Sequence, residues 1–94
     1  MVVRVDHYGN LVSNIRREHV RKLGVKYGGG LEVTVGDDTF AAPFVRAYGD
    51  VPPGDRLVLV QSGGSLEFAA NMRNLADELE AGQYSPVTVS PVKE

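Results

Sequence analysis

Apolar and polar residues alternate along this chain in short runs broken by glycine, proline and asparagine, the signature of short half-buried strands. Val3 and Val5 against Arg4 and Asp6 predict a first strand from Val2 to Asp6, and Leu11 to Ile15 a second. Between them Tyr8-Gly9-Asn10 predicts a tight turn, since Gly9 takes a positive φ without steric cost and Asn10 tolerates one. Leu31-Glu32-Val33-Thr34-Val35 alternates cleanly, and Gly36-Asp37-Asp38 turns it back into Thr39 to Val45, a hairpin. Pro43 has no N–H to give a ladder, so that second arm needs a sheet edge or a bulge. Arg56 to Val60 and Leu66 to Ala70 predict two more strands around the small-residue turn Gln61–Ser65, and Val87-Thr88-Val89 a last one.

Two segments carry helical signals. Arg16 to Leu23 predicts a short helix, with Ser13 or Asn14 as N-cap and Gly24 as its stop. Leu75, Ala76 and Leu79 against Asp77, Glu78 and Glu80 predict a second, capped by Asn71 and stopped at Gly82. Gly28-Gly29-Gly30 is expected as a flexible connector; no helix and no Lys-Ser/Thr follow it, as a phosphate loop requires. About seven short strands and two short helices imply a mainly β fold, a small antiparallel barrel or sandwich. There is no internal repeat or linker, so residues 1–94 are expected to form a single domain.

Composition narrows the function. At 43% apolar and 23% charged residues the chain is an ordinary globular one. Its small size implies a thin stability margin, on the order of 5 kcal/mol. A net charge of -2 gives no general attraction to nucleic acid or anionic membranes, so oligonucleotide binding by a small barrel ranks last. Cysteine is absent and His7 and His19 form no metal-ligand cluster. With no signal-like or membrane-spanning stretch, a cytoplasmic location is expected. Arg16, Arg17, Arg21, Lys22 and Lys26 make one local basic patch, read as a solvated helix face because neighbouring segments show no stacking aromatics.

No nucleophile and base are arranged for catalysis. Ser62 lies in a Ser-Gly-Gly-Ser turn, not in a nucleophile elbow, and Asp37-Asp38 are hairpin-turn residues. Binding chemistry is better represented. Tyr8, Phe44 and Tyr48 stand in or beside turns, where rings can line a cleft, and a base stacked on such a ring gains about 1–3 kcal/mol. The carboxamide of Asn10 matches the donor–acceptor edge of adenine, Asp6 suits an ammonium group, and Ser62 with adjacent N–H groups suits a carboxylate.

Val5-Asp6-His7-Tyr8-Gly9-Asn10-Leu11-Val12-Ser13-Asn14-Ile15 resembles the Asp-x-aromatic-Gly-Asn signature of the S-adenosylmethionine (SAM) hydroxide adenosyltransferases, relatives of the bacterial fluorinating and chlorinating enzymes. Ala42-Pro43-Phe44, Tyr48-Gly49-Asp50-Val51-Pro52 and Gln61 to Asn71 resemble three further blocks of the same C-terminal domain, in the same order. The resemblance implies a β-barrel that follows an N-terminal α/β catalytic domain, homotrimeric assembly, SAM as substrate and no separate cofactor. It implies that Asp6 meets the methionine amino group, that Tyr8 and Phe44 flank the adenine and that Asn10 bonds its edge. Ser62 would bind the methionine carboxylate, and the main chain at Ala70, Asn71 and Met72 would read the adenine amino group and ring nitrogen. Gly63 stands where halogenating members carry arginine, which points to the water-using branch, SAM and water giving adenosine and methionine. The family's catalytic aspartate, arginine and histidine belong to the N-terminal domain. The alternative is a stand-alone, non-catalytic barrel that serves as a binding or oligomerisation module.

Overall fold

The computed structural model describes residues 1–92; the last two positions of the expected domain lie outside the described residues. The strands are β1 (Val2–Val5), β2 (Leu11–Arg16), β3 (Gly30–Val35), β4 (Asp38–Pro43), β5 (Arg56–Val60), β6 (Ser65–Ala70) and β7 (Val87–Pro91). Helices α1 (Arg17–Lys22) and α2 (Leu75–Leu79) and one 3₁₀ turn, Tyr48–Asp50, complete the elements. The fold is mainly β, with seven antiparallel strands and two short helices as expected. The strands form a four-stranded sheet ordered β1-β2-β6-β5 and a three-stranded sheet ordered β4-β3-β7, which do not close into one barrel. A single parallel bridge from Phe44 to Val58 links them where β4 leaves its sheet. No described helix is long and apolar enough to cross a membrane.

Alternation decides which residues face inward. Leu31, Val33 and Val35 of β3 stand opposite Ala42, Phe40 and, on the other side, Val89 and Val87, making one apolar face. It packs on Val2, Leu11, Val58, Leu66, Phe68 and Ala70 of the larger sheet. Val20 of α1 and Leu75, Ala76 and Leu79 of α2 complete this core. On β5 and β6 the other face is covered as well. Leu57, Leu59 and Ala69 pack beneath Val45 and Val51 of the long β4–β5 connection. That connection also carries Tyr48.

Pro43 ends β4, an edge strand, opposite Gly30, so its missing N–H costs no ladder bond. The expected glycine connector is structured: Gly28 N–H donates to Phe44 O at 2.7 Å, and Phe44 N–H to Gly29 O at 2.8 Å. Both helix caps differ from expectation. Ser13 and Asn14 lie within β2, and α1 starts directly after Arg16 with no side-chain cap. Helix α2 is capped by Asn74, whose Oδ1 accepts from Asp77 N–H at 2.9 Å, and it ends on Glu80 in the left-handed region instead of at Gly82. Asn71 is drawn elsewhere: its Nδ2 donates to Val51 O at 2.9 Å and ties the β6 end to the covering loop. Asn71→Ala should therefore lower the unfolding free energy by about 1 kcal/mol, read from urea unfolding.

Candidate functional site

Two turns from distant parts of the chain meet at one end of the larger sheet. The β1–β2 turn is built by Asp6, whose Oδ1 accepts from the N–H groups of Tyr8 (2.9 Å) and Asn10 (3.0 Å). Its Oδ2 accepts from Asn10 Nδ2 at 3.1 Å. Three of about four acceptor positions on this carboxylate are thus used within the turn, leaving one for a ligand. The second turn follows β6, with Arg73 N–H donating to Ala70 O at 3.1 Å and Met72 at φ 61°.

Gly9 joins the two. Its φ is +82°, its carbonyl accepts from Ala76 N–H of α2 at 2.9 Å, and a Cβ there would lie 1.9 Å from Asn74 Oδ1. Glycine is required by both the backbone angle and the closeness of the helix cap.

Between the turns lies an open cleft of about 670 Å³, lined by Asp6, Tyr8, Asn10, Tyr48, Ala70, Asn71, Met72, Arg73 and Asn74. Its size is within the ~300–1,000 Å³ usual for small-molecule sites. Tyr8 stands on the rim, 74% exposed, its ring roughly perpendicular to that of His7 with centroids 5.5 Å apart. Asn10, in contrast, is buried. One Nδ2 hydrogen goes to Asp6 and the other is within 3.3 Å of Tyr48 Oη, so the amide orientation is fixed and Oδ1 remains as acceptor. Among the described residues Met72 N–H has no hydrogen-bond acceptor. Asn71 N–H and C=O are both engaged, by Asp55 O and Gly54 N–H at 2.8 Å each. The cleft thus presents a fixed acceptor in Asn10 Oδ1 and an unpaired backbone donor in Met72 N–H.

Glu67 lies beneath. Its register with Val12 and Leu59 puts it on the outer face of the sheet, under Tyr48, whose hydroxyl donates to Glu67 Oε2. Burial raises the Glu67 carboxyl above its usual range; the Tyr48 hydrogen bond opposes this, Asp6 adds to it and Arg4 opposes it. Burial first, and then Glu67, push the Tyr48 phenol upward, so it stays protonated and acts as a donor. The chain Glu67–Tyr48–Asn10–Asp6 is linked by consecutive hydrogen bonds, which hold each member in one orientation.

Six of the eight residues expected from the sequence line this cleft: Asp6, Tyr8, Asn10, Ala70, Asn71 and Met72. Phe44 does not. It is buried and stacked on Tyr27 with centroids 4.6 Å apart, beside a different cleft. Ser62 is exposed on the β5–β6 turn, at the far end of β6 from Ala70, roughly 17 Å along a six-residue strand. Tyr48 was among the turn aromatics but had no assigned role, and it is the second ring of the cleft. Glu67 carries no local signal beyond a carboxylate in an apolar strand, and that anomaly was the available clue.

The family described as SAM hydroxide adenosyltransferase C-terminal domain matches residues 1–88. A fluorinase of Actinopolyspora mzabensis is 34% identical over 79 residues, 81% of this chain and 26% of that protein. A fluorinase of Actinoplanes sp. (strain N902-109) is 34% identical over 93 residues, 94% of this chain and 31% of that protein. Among solved structures, an uncharacterized conserved protein from Thermotoga maritima superposes with a TM-score of 0.89 at 33% identity, covering 94% of this chain and 34% of that one. A conserved hypothetical protein from Thermus thermophilus gives a TM-score of 0.69 at 28% identity, with 94% and 33% covered. The chain therefore spans only about a quarter to a third of the length of these relatives. It belongs to the SAM hydroxide adenosyltransferase C-terminal domain family.

Proposed function

We propose that this chain is the adenosyl-recognising part of an enzyme that splits SAM with water into adenosine and methionine. The observation that carries the reading is the pairing of Asn10 Oδ1, fixed as an acceptor, with the unpaired Met72 N–H across one cleft. Adenine offers the complement, an exocyclic amino donor beside a ring-nitrogen acceptor. Tyr8 and Tyr48 supply the rings against which the base lies, and the remaining acceptor position of Asp6 takes the methionine ammonium.

In the reaction, a water oxygen bonds to the ribose C5′ as the C5′–S bond breaks. The bonding pair passes to sulfur, neutralising the sulfonium to a thioether, and the water loses a proton. The leaving group starts cationic, so it needs no acid. Catalysis then rests on aligning the water, C5′ and sulfur. In this reading the groups that position the water belong to an N-terminal α/β domain, in a homotrimer, and the present chain supplies recognition and orientation. Phe44 and Ser62 take no part in the cleft of a single chain. The amino and carboxylate groups of methionine share one carbon, and roughly 17 Å of strand separates the Ala70 end from the turn that carries Ser62.

Calorimetry with adenosine and inosine tests the reading. Inosine lacks the amino donor, so adenosine should bind about tenfold more tightly, and Asn10→Ala should remove most of that difference. Equal affinities for the two nucleosides would refute it.

A further inference from the structure

A second cleft, of about 490 Å³, shares no lining residue with the first and owes nothing to the adenosyl reading. Its walls carry Arg17 and Arg21 of α1, Lys26 and Arg46, over an apolar floor that includes Val20. In a chain of net charge -2, four cations around one concavity with no acidic lining residue is a marked segregation. Two arginines elsewhere are paired: Arg56 and Arg73 both reach Glu78. Among the described residues the side chains of Arg17, Arg21, Lys26 and Arg46 have neither an ion-pair nor a hydrogen-bond partner. Glu18, the carboxylate of α1, is exposed and does not line the cleft.

Missing aromatics argue for a plain solvated helix face, but Tyr27 follows Lys26 directly and the fold adds Phe44 from a distance. Phe44 and Tyr27 stack nearly parallel, 6° apart, and the Arg46 guanidinium lies over the Tyr27 ring, 4.1 Å from its centroid. The Tyr27 ring is thus already engaged by Phe44 and by Arg46, and is not a vacant platform for a nucleobase. The stack instead holds Arg46 at the cleft, so less side-chain freedom is lost when an anion binds.

We infer that this cleft binds a soluble small molecule through its phosphate groups, with Arg46 as the preset fork and Arg17, Arg21 and Lys26 as the surrounding charges. Arginine forks match phosphate oxygens in pairs, and two or more phosphates are needed to engage cations on both α1 and the Arg46 side.

The test is a residue-resolved NMR titration of the chain with inorganic pyrophosphate at constant ionic strength. The inference expects saturable shifts centred on Arg21, Lys26, Tyr27 and Arg46. Arg46→Gln should weaken binding about tenfold, whereas Lys22→Gln, which removes one charge from α1 outside the cleft, should change it less than about twofold. Tyr27→Leu keeps all four charges but frees Arg46, and it too should weaken binding several-fold while the amide spectrum stays that of the folded chain. Equal losses for Arg46→Gln and Lys22→Gln, or shifts that rise linearly without saturation, would overturn the inference in favour of general charge attraction. Sedimentation with phosphatidic-acid vesicles in the absence of saturable pyrophosphate binding would overturn it in favour of a membrane surface.

Discussion

Gly9→Ala is expected to lower the unfolding free energy by about 2–3 kcal/mol, a large share of the margin a chain of this size holds. Two separate costs add. An L-residue at φ +82° is strained by about 1–2 kcal/mol. The new methyl group also meets the Asn74 side chain, which must abandon its bond to Asp77 N–H and uncap α2 at about 1 kcal/mol. A double-mutant cycle separates them. Once Asn74→Ala has removed the cap, Gly9→Ala should cost only the backbone strain, so the two losses should sum to more than the double mutant shows. Strict additivity in urea unfolding would mean that Asn74 simply moves aside. Because the main-chain carbonyl of residue 9 also accepts from Ala76 N–H, a backbone shift that relieves the clash should loosen the β1–β2 turn against α2 and so open the cleft between the two turns.

The second large effect is expected at Tyr48. Tyr48→Phe removes the donor to Glu67 and the acceptor that orients Asn10, leaving a buried carboxylate without its hydroxyl partner. A loss of about 1–3 kcal/mol in stability at neutral pH follows. The pH dependence gives a sharper signature. The folded Glu67 carboxyl lies above its ordinary value of 4.5, so between that value and its raised folded value the native state holds more protons than the unfolded one. Its stabilising contribution is fully present below the ordinary value and is lost as pH rises through the raised one. In Tyr48→Phe the opposing hydrogen bond is gone, so that decline should extend to higher pH. Glu67→Gln keeps an acceptor for the hydroxyl and removes the titration, so its stability should gain on that of the unchanged chain as pH climbs from about 4 to about 8. Parallel pH curves for the two proteins would show that Glu67 is not raised.

Much of this architecture is written in local pattern, and its failures share one cause. The β3–β4 hairpin follows from clean alternation and a Gly-Asp turn, and Pro43 correctly marks an edge strand. The Asp6–Asn10 turn is legible because its hydrogen bonds join residues within four positions of each other. What local pattern cannot reveal is which of several eligible residues tertiary contacts select. Asn71 and Asn74 are both good caps; the β6 end takes Asn71 for Val51 and leaves Asn74 to the helix. Phe44 and Tyr48 are both turn-adjacent aromatics. Phe44 bridges to Val58 and is buried where the two sheets meet, while Tyr48 reaches Glu67, 19 positions away, over the other face of the larger sheet. The basic patch changes its meaning for the same reason, since the pairing of Phe44 with Gly28 and Gly29 brings the distant Arg46 to Tyr27 and α1. Whether the strands close into a barrel or stay as two sheets is likewise a matter of long-range register that short alternating runs do not encode.

The claim on which the functional reading depends is that Asp6–Asn10 and Ala70–Asn74 form one adenosyl-binding wall. A residue-resolved NMR titration of this chain with adenosine measures it directly. The account predicts saturable shifts confined to Tyr8, Asn10, Tyr48, Asn71 and Met72, with the Met72 amide moving as its N–H acquires an acceptor. No saturable change at these positions, or a response centred on Tyr27 and Arg46, would contradict it.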